Sequence, residues 1–309
     1  MADFDLLVLG DANSDLILVG DVEVAFGQAE KLVERHKVVV GGSGAIMACG
    51  AARLGLRTAF AGVVGDDAFG RFMISALAER GVDTHGVRVD PKRPTGLSVV
   101  LAREDDRATL TSLGTIGDLT GTMIDPELIA ESRHVHVSSY YLQRALHPDL
   151  PALFDAAHAA GASTSIDPNW DPAERWDSDL LGLLSRTDCF LPNSAEARAI
   201  TGVDDIDVAA EALAGHGTVV AIKFGQGGGL VIWGDEVVRS ESIPADVVDT
   251  TGAGDSFDAG FIAGRLRGWP LERCLSVAVA CGSLSTRADG GTEAQPTMEE
   301  ALAALETVA

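Results

Sequence analysis

Val247-Val248-Asp249-Thr250-Thr251-Gly252-Ala253-Gly254-Asp255-Ser256-Phe257-Asp258-Ala259-Gly260 runs from an extended stretch through a turn of small residues into a helix that reaches about Leu266. Gly252, Ala253 and Gly254 carry little or no side chain, so the backbone can approach a ligand closely. The first N–H groups of a helix have no partner within it and bind anions. Aimed at a transferring phosphoryl group, they would hold its developing charge. Asp255 begins the helix, where the dipole favours its ionised form, and a carboxylate there can take the proton of an alcohol aligned for phosphoryl transfer. A tight turn with Asp255 as a plain N-cap is the simpler account of any lone Gly-x-Gly-Asp.

Upstream, apolar runs alternate with segments of helical period. Strands are predicted over Phe4–Gly10, Thr58–Val64, His134–Ser138, Ser163–Asp167, Cys189–Leu191 and Val219–Phe224, and helices over Ala45–Leu54, Phe69–Arg80, Leu150–Ala160 and Leu180–Arg186. Gly55 and Gly81 stand where left-handed caps would close the first two helices. The alternation predicts an α/β fold, a three-layer α/β/α arrangement with a mostly parallel central sheet. Two stretches break it, about 12–40 and about 96–112, where β-rich pieces with a turn-like Glu104-Asp105-Asp106 follow one another without a helix. They predict a small β-sheet lid, inserted into a single domain spanning residues 1–309. Leu16, Ile17, Leu18, Val99, Val100 and Leu101 give that lid apolar faces, to be covered over a site or against a second copy.

The bulk composition narrows the partners. With 309 residues and 46% hydrophobic content the chain can bury a large core. A formal net charge of -23 removes the attraction to phosphate backbones and anionic lipid that nucleic-acid and membrane binding require. Cys49, Cys189, Cys274 and Cys281 form no C-x-x-C pair, as expected of free thiols in a reducing cytoplasm. The opening MADFDLLVLGD is acidic where a secretory signal is basic, and no apolar run approaches the roughly 20 residues of a membrane span.

The D-T-T-G-A-G-D of Asp249–Asp255 resembles the C-terminal signature of the ribokinase-like (PfkB) carbohydrate kinases, and further landmarks of that family follow in order along the chain. The resemblance implies an ATP-dependent kinase of a sugar or small polyol, using Mg²⁺, with Asp255 as base and Gly252, Ala253 and Gly254 as anion hole. Asn13 and Asp15 of G-D-A-N-S-D would bind substrate hydroxyls, and Gly41, Gly42 and Ser43 of G-G-S-G-A would line the same pocket. A carboxylate and an amide suit that task because both accept from hydroxyls at fixed spacing. Asn193 and Glu196 match the N-x-x-E element that organises Mg²⁺ through water, spaced to share a helical face. Lys223, Gly225 and Gly227, together with Gly254, would meet the nucleotide, and Ala288, Asp289 and Gly290 would lie near the adenine. Asp249 and Thr251 match positions that would contribute to a monovalent-cation site for K⁺. The resemblance also implies a homodimer formed through the lid.

Two positions depart from the family pattern. Ile46 stands where Asn usually contacts a hydroxyl, and Asp171 replaces the Arg of a D-x-N-x-R stretch in Asp167-Pro168-Asn169-Trp170-Asp171. Loss of that cation favours a neutral acceptor over an acid sugar or sugar phosphate. A nucleoside kinase of the same fold, with Tyr140, Tyr141 or Trp170 against a base, and a non-catalytic sugar-binding regulator are the competing readings. No G-x-x-x-x-G-K-[ST] or G-x-G-x-x-G follows a strand as a P-loop enzyme or dehydrogenase would require.

Overall fold

The computed structural model describes residues 2–103, 106–176 and 179–307. Its strands are β1 (Leu6–Leu9), β2 (Asn13–Val19), β3 (Arg35–Gly41), β4 (Thr58–Gly65), β5 (Val82–Asp90), β6 (Leu97–Arg103), β7 (Asp106–Ser112), β8 (His134–Val137), β9 (Ser163–Ile166), β10 (Cys189–Phe190), β11 (Val219–Lys223), β12 (Gly229–Trp233) and β13 (Glu236–Ser240). The helices are α1 (Ser43–Arg53), α2 (Ala68–Glu79), α3 (Pro126–Ala130), α4 (Leu150–Ala159), α5 (Leu180–Leu184), α6 (Ser194–Thr201), α7 (Ile206–Ala214), α8 (Ala253–Leu266), α9 (Leu271–Ser285) and α10 (Met298–Glu306).

One nine-stranded sheet runs in the order β13-β12-β11-β10-β9-β8-β1-β4-β5. It is parallel from β5 to β11 and antiparallel across β12 and β13. All four residues of β1 are fully buried, as a strand covered on both faces demands. Its side chains alternate between two cores. Leu6 and Val8 meet Met47, Met73, Phe261 and Val277 of α1, α2, α8 and α9, while Leu7 and Leu9 share the other core with Phe154, Leu183 and Leu213 of α4, α5 and α7. The helix layers on either face are therefore set by a period-2 pattern in four residues. Gly55 (φ 87) and Gly81 (φ 81) take the left-handed conformation just past α1 and α2, where their missing Cβ removes the penalty.

A second sheet, ordered β3-β2-β6-β7, is built from the two stretches that broke the alternation. β2 pairs antiparallel with β3 and parallel with β6, which pairs antiparallel with β7. Glu104 and Asp105 of the expected turn lie outside the described residues. The register puts Asn13, Asp15, Ile17, Val39 and Val100 on one face, where the last three form a small core. Leu16, Leu18, Val38, Val99, Leu101 and Leu110 occupy the opposite face, with Leu110 62% and Val38 37% exposed.

β5, the β12–β13 hairpin, α3, α7 and α10 were not among the expected elements. β5 is an edge strand whose Asp83, His85 and Arg88 interrupt any apolar run, and β13 shows mostly exposed side chains. Gly10, Ser138, Asp167 and Lys223 all stand at or just beyond the carboxyl ends of parallel strands, the edge where open α/β sheets bind ligands.

Candidate active site

Asp11, just after β1, and Asn13 and Asp15, at the start of β2, stand at that edge. Asn13 Nδ2 donates to Asp15 Oδ1 at 2.9 Å and lies 3.4 Å from Ser98 Oγ on β6. Gly41 pairs with Asn13 in the β2–β3 register, and a Cβ added to Gly41 would stand 2.2 Å from Asp15 Oδ1. At Gly42 (φ 85) a Cβ would meet the Asp11 carbonyl oxygen at 2.8 Å and Asn13 Oδ1 at 2.9 Å. The glycine pair thus makes the room that the acid and the amide occupy. Ser43 opens α1, where its hydroxyl accepts from Asn169 Nδ2 at 3.3 Å and bonds the Asp255 carboxyl. Asn13, Asp15, Gly41, Gly42, Ser43 and Asp255 are brought together in one place.

Asp11 and Asn169 belong to the same cluster. Asp11 Oδ1 accepts from Gly44 N at 3.1 Å, and its complete burial raises its pKa. Asn169 also donates to Ser139 Oγ at 3.0 Å. Asp11 follows Gly10 at the end of a strand, a placement that marks it in the sequence; Asn169 sits inside a motif already singled out.

The helix start beside this cluster differs from expectation by two residues. α8 begins at Ala253, with Gly252 (φ 73) before it and no side chain capping its N-terminus, so Asp255 is the third helical residue rather than the first. Its side chain is buried, and its carboxyl sits well above the ordinary range because burial penalises the charge, with Asp167 adding to the effect; Lys223 and Ser43 oppose it. Desolvation outweighs the helix dipole that would hold it ionised. A carboxylate whose pKa is raised is a stronger base toward the acceptor proton than one of ordinary strength.

Beneath the turn, Lys223 Nζ lies 2.6 Å from Asp167 Oδ2 and 3.0 Å from both oxygens of Asp258. Asp167, Asp255 and Asp258 each offer an oxygen within 4.8 Å of the others. Ile46, expected near the sugar, instead packs behind the turn. A Cβ on Gly252 would touch Ile46 Cγ2 at 2.8 Å, and one on Gly291 would touch Ile46 Cδ1 at 2.5 Å.

On the far side of the turn lies a cavity of about 420 Å³ bounded by Gly225, Gln226 and Gly228, by Ile243, Pro244 and Val247, and by Val279, Gly282, Ser283 and Thr286 of α9 and its end. Lys223, Gly225 and Gly254 line it as expected; Gly227 and Asn193 do not. Gly227 ends a single 3-10 turn whose other residues face the cavity. The Asn193 side chain accepts from Ala195 N and Glu196 N, both at 2.9 Å, while Glu196 Oε2 accepts from Asn193 N at 2.8 Å, so the pair forms the capping box of α6. Glu196 is buried, and burial, reinforced by the Asp167 charge, pushes its carboxyl up to about 7.

Ala288, Asp289 and Gly290 are likewise away from the cavity. Asp289 pairs with Arg35 of β3 at 2.7 Å, and Gly290 N donates to Asp249 Oδ2 at 2.9 Å. Asp249 Oδ1 accepts from Thr251 N at 2.9 Å and from Thr251 Oγ1 at 2.7 Å, which brings the two expected cation contacts together. Asp171 is turned into its own loop, accepting from the N–H groups of Ala173, Arg175 and Trp176, with Arg144 3.9 Å away; the burial cost is outweighed and its pKa is lowered. Tyr140 and Tyr141 are buried, the first stacked on His147 and the second edge-on to Trp176.

The chain as a whole has counterparts among known proteins. A fructokinase of Klebsiella pneumoniae is 32% identical over 308 residues, 94% of this chain and 95% of that enzyme. An ATP-dependent ribose-1-phosphate kinase of Halopiger xanaduensis is 31% identical, over 97% of each chain. Arabidopsis thaliana ribokinase complexed with ribose and ATP superposes with a TM-score of 0.85 at 27% identity, over 99% of each chain. An E. coli protein described as a ribokinase II in complex with ATP and Mg²⁺ gives 0.87 at 25%, over 98% of this chain and 99% of that one. Residues 3–298 match the pfkB family of carbohydrate kinases, with the ribokinase-like fold that the alternation and the lid imply, and the chain belongs to that family.

Proposed function

We propose that this kinase transfers the γ-phosphoryl group of ATP, directly and in line, to a hydroxyl of a neutral sugar or related small polyol. The uncapped start of α8 carries the reading, since it opens between a cavity of nucleotide size and the Asn13–Asp15 pair, with a buried carboxylate at its third residue. Asp255 takes the acceptor proton, and the N–H groups of Gly252, Ala253 and Gly254 hold the transferring charge. Asn13, Asp15, Gly41, Gly42 and Ser43 orient the acceptor, and Gly225 and Gly254 border the nucleotide, with Lys223 at the floor of its cavity and Gly227 turned away from it. Asn193 acts there through the cap it gives α6. A buried Glu196, reaching a metal through water, fits Mg²⁺, which would neutralise charge on the β- and γ-oxygens. Paired oxygens of Asp249 and Thr251 fit K⁺ beside the anion hole.

A neutral acceptor is favoured because Asp171 faces its own loop and offsets Arg144. A nucleoside needs aromatic faces; both tyrosines are engaged elsewhere, and Trp170 is set edge-on to Trp176. A regulator that only binds sugar needs no proton acceptor at an anion hole. In a phosphorylation screen over pentoses, hexoses, polyols and nucleosides, turnover is expected with one or more of the first three; ribonucleosides as the sole acceptors would overturn the sugar reading. EDTA should abolish turnover, and exchanging K⁺ for choline should slow it; a rate indifferent to K⁺ removes Asp249 and Thr251 from that role.

The chain works as one unit of residues 1–309 with the lid as two insertions, and the apolar outer face of the lid fits a second copy of itself. Light scattering should give a dimer, and a strict monomer at micromolar concentration would leave that face without its assigned partner. Four buried free thiols fit the reducing cytoplasm, and no described helix is long and apolar enough to cross a membrane. Recovery of the native protein in an oxidising compartment would contradict that location.

A further inference from the structure

The geometry points to Lys223 as a positioning residue for the proton transfer, an internal counter-charge for Asp255 and not a contact of the nucleotide phosphates. This rests on Asp255 being the base. An ammonium has three donors and no acceptor. The ammonium of Lys223 is held by Asp167 Oδ2 at 2.6 Å and straddles the two oxygens of Asp258 at 3.0 Å each, so two buried carboxylates fix its position. Its side chain is 11% exposed, and those holding it are 7% and 1% exposed. The stem nevertheless runs under the turn: a Cβ on Gly254 would stand 3.7 Å from Lys223 Nζ. Asp258 follows Asp255 by three residues on α8, so the base and the holder of the ammonium share one helical face.

The electrostatics require such a charge. Asp11 from the end of β1, Asp167 from the end of β9, Glu196 of α6 and Asp258 of α8 all crowd around Asp255 or Lys223, and His136 of β8 is buried and held neutral. Asp167 and Asp258 also share a hydrogen bond that lowers the pKa of the first and raises that of the second. Asp167 is thus the carboxylate held ionised beside the lysine, while Asp255 is pushed upward by burial and by the Asp167 charge and drawn back by Lys223. In a desolvated pocket two carboxylates cannot both ionise readily without a cation between them. With Lys223 present, Asp255 can lose its proton at working pH and take one from the acceptor.

The sign of the test follows. Removing the cation raises the Asp255 pKa, keeps the base protonated over a wider acid range, and moves the acid limb of kcat/KM to higher pH. For Lys223→Met we expect that limb to rise by about one unit or more, with a roughly tenfold loss near pH 7 that recovers as the pH is raised. KM for ATP should change by no more than about threefold. Lys223→Arg keeps the charge and should keep the limb, whereas Lys223→Met with Asp167→Asn, which restores the charge balance, should bring it back toward the parent value. The wild-type limb in Lys223→Met, together with a large rise in ATP KM, would overturn the inference and make Lys223 a phosphate contact. A loss that does not recover at high pH in a protein that melts normally would also overturn it. If Lys223→Met does not fold, the double variant and Lys223→Arg decide, since a limb displaced in both contradicts the charge argument. Asp255→Asn is the separate control: retained turnover there would sink the reading of the base, whatever the lysine variants do.

Discussion

Asp255→Asn is expected to lower kcat by roughly two or more orders of magnitude while KM for sugar and ATP stays within a few-fold. The amide fills the same space and can still bond Ser43, so the α8 turn and both binding regions keep their shape. What it cannot do is accept a proton, because its oxygen is nearly non-basic and its nitrogen only donates. Burial makes the substitution structurally mild, since it replaces a carboxyl already driven well above the ordinary range with a neutral group. Single-turnover phosphorylation with saturating ATP and sugar measures the effect directly. A variant with parental kcat would show that the acceptor hydroxyl loses its proton elsewhere.

The second large effect is expected for Gly41→Ala. The added Cβ would fall 2.2 Å from Asp15 Oδ1 and 2.3 Å from its Cγ, far inside contact distance, so the carboxylate must move. Asp15 is bonded to Asn13, and both are buried against the neighbouring lid strand, so the shift disturbs the pair together. A misplacement of about 1 Å in an orienting group costs on the order of 100-fold, and kcat/KM for the sugar should fall by that much or more. KM for ATP should hold, because the cavity lies across the α8 turn from Gly41. Unchanged sugar kinetics would mean that Asp15 does not read the acceptor.

Much of this was legible because the pattern and the chemistry coincide. Runs bounded by turn residues located β1, β4, β8, β9, β10 and β11 to within a residue or two, even where β8 and β9 bury His134, His136, Thr164 and Ser165. Edge elements were not legible: β5 and β13 carry charged side chains toward solvent and look like loops. In the site, side chains that stand at a helix start or a strand end were legible as candidates, and the fold brings Asn13, Asp15 and Asp255 together. Those that act through a partner were not assigned. Asp258 is three residues beyond Asp255, a spacing that hints at a shared face, yet nothing local says that a lysine from β11 will be its partner. Asn193 and Glu196 read as metal organisers, and their mutual cap, which a Ser/Thr/Asn-x-x-Glu pattern also signals, emerged with the coordinates. Gly225–Gly227 marked the nucleotide loop, but which amides face inward depends on the sense of one tight turn.

Ile46 joins two parts of the catalyst that chemistry treats separately. One turn of α1 carries the aliphatic strut that braces Gly252 and Gly291, and the same turn starts at Ser43, beside the glycine pair proposed to orient the acceptor. An asparagine there could grade acceptors by one more hydroxyl; a branched hydrocarbon cannot, and contributes stiffness to the phosphate cradle instead. Selection among acceptors should then rest mainly on the hydroxyls nearest Asn13 and Asp15, leaving the enzyme tolerant of variation farther along the carbon chain. Sharp discrimination between acceptors that differ only at those distant carbons would contradict this.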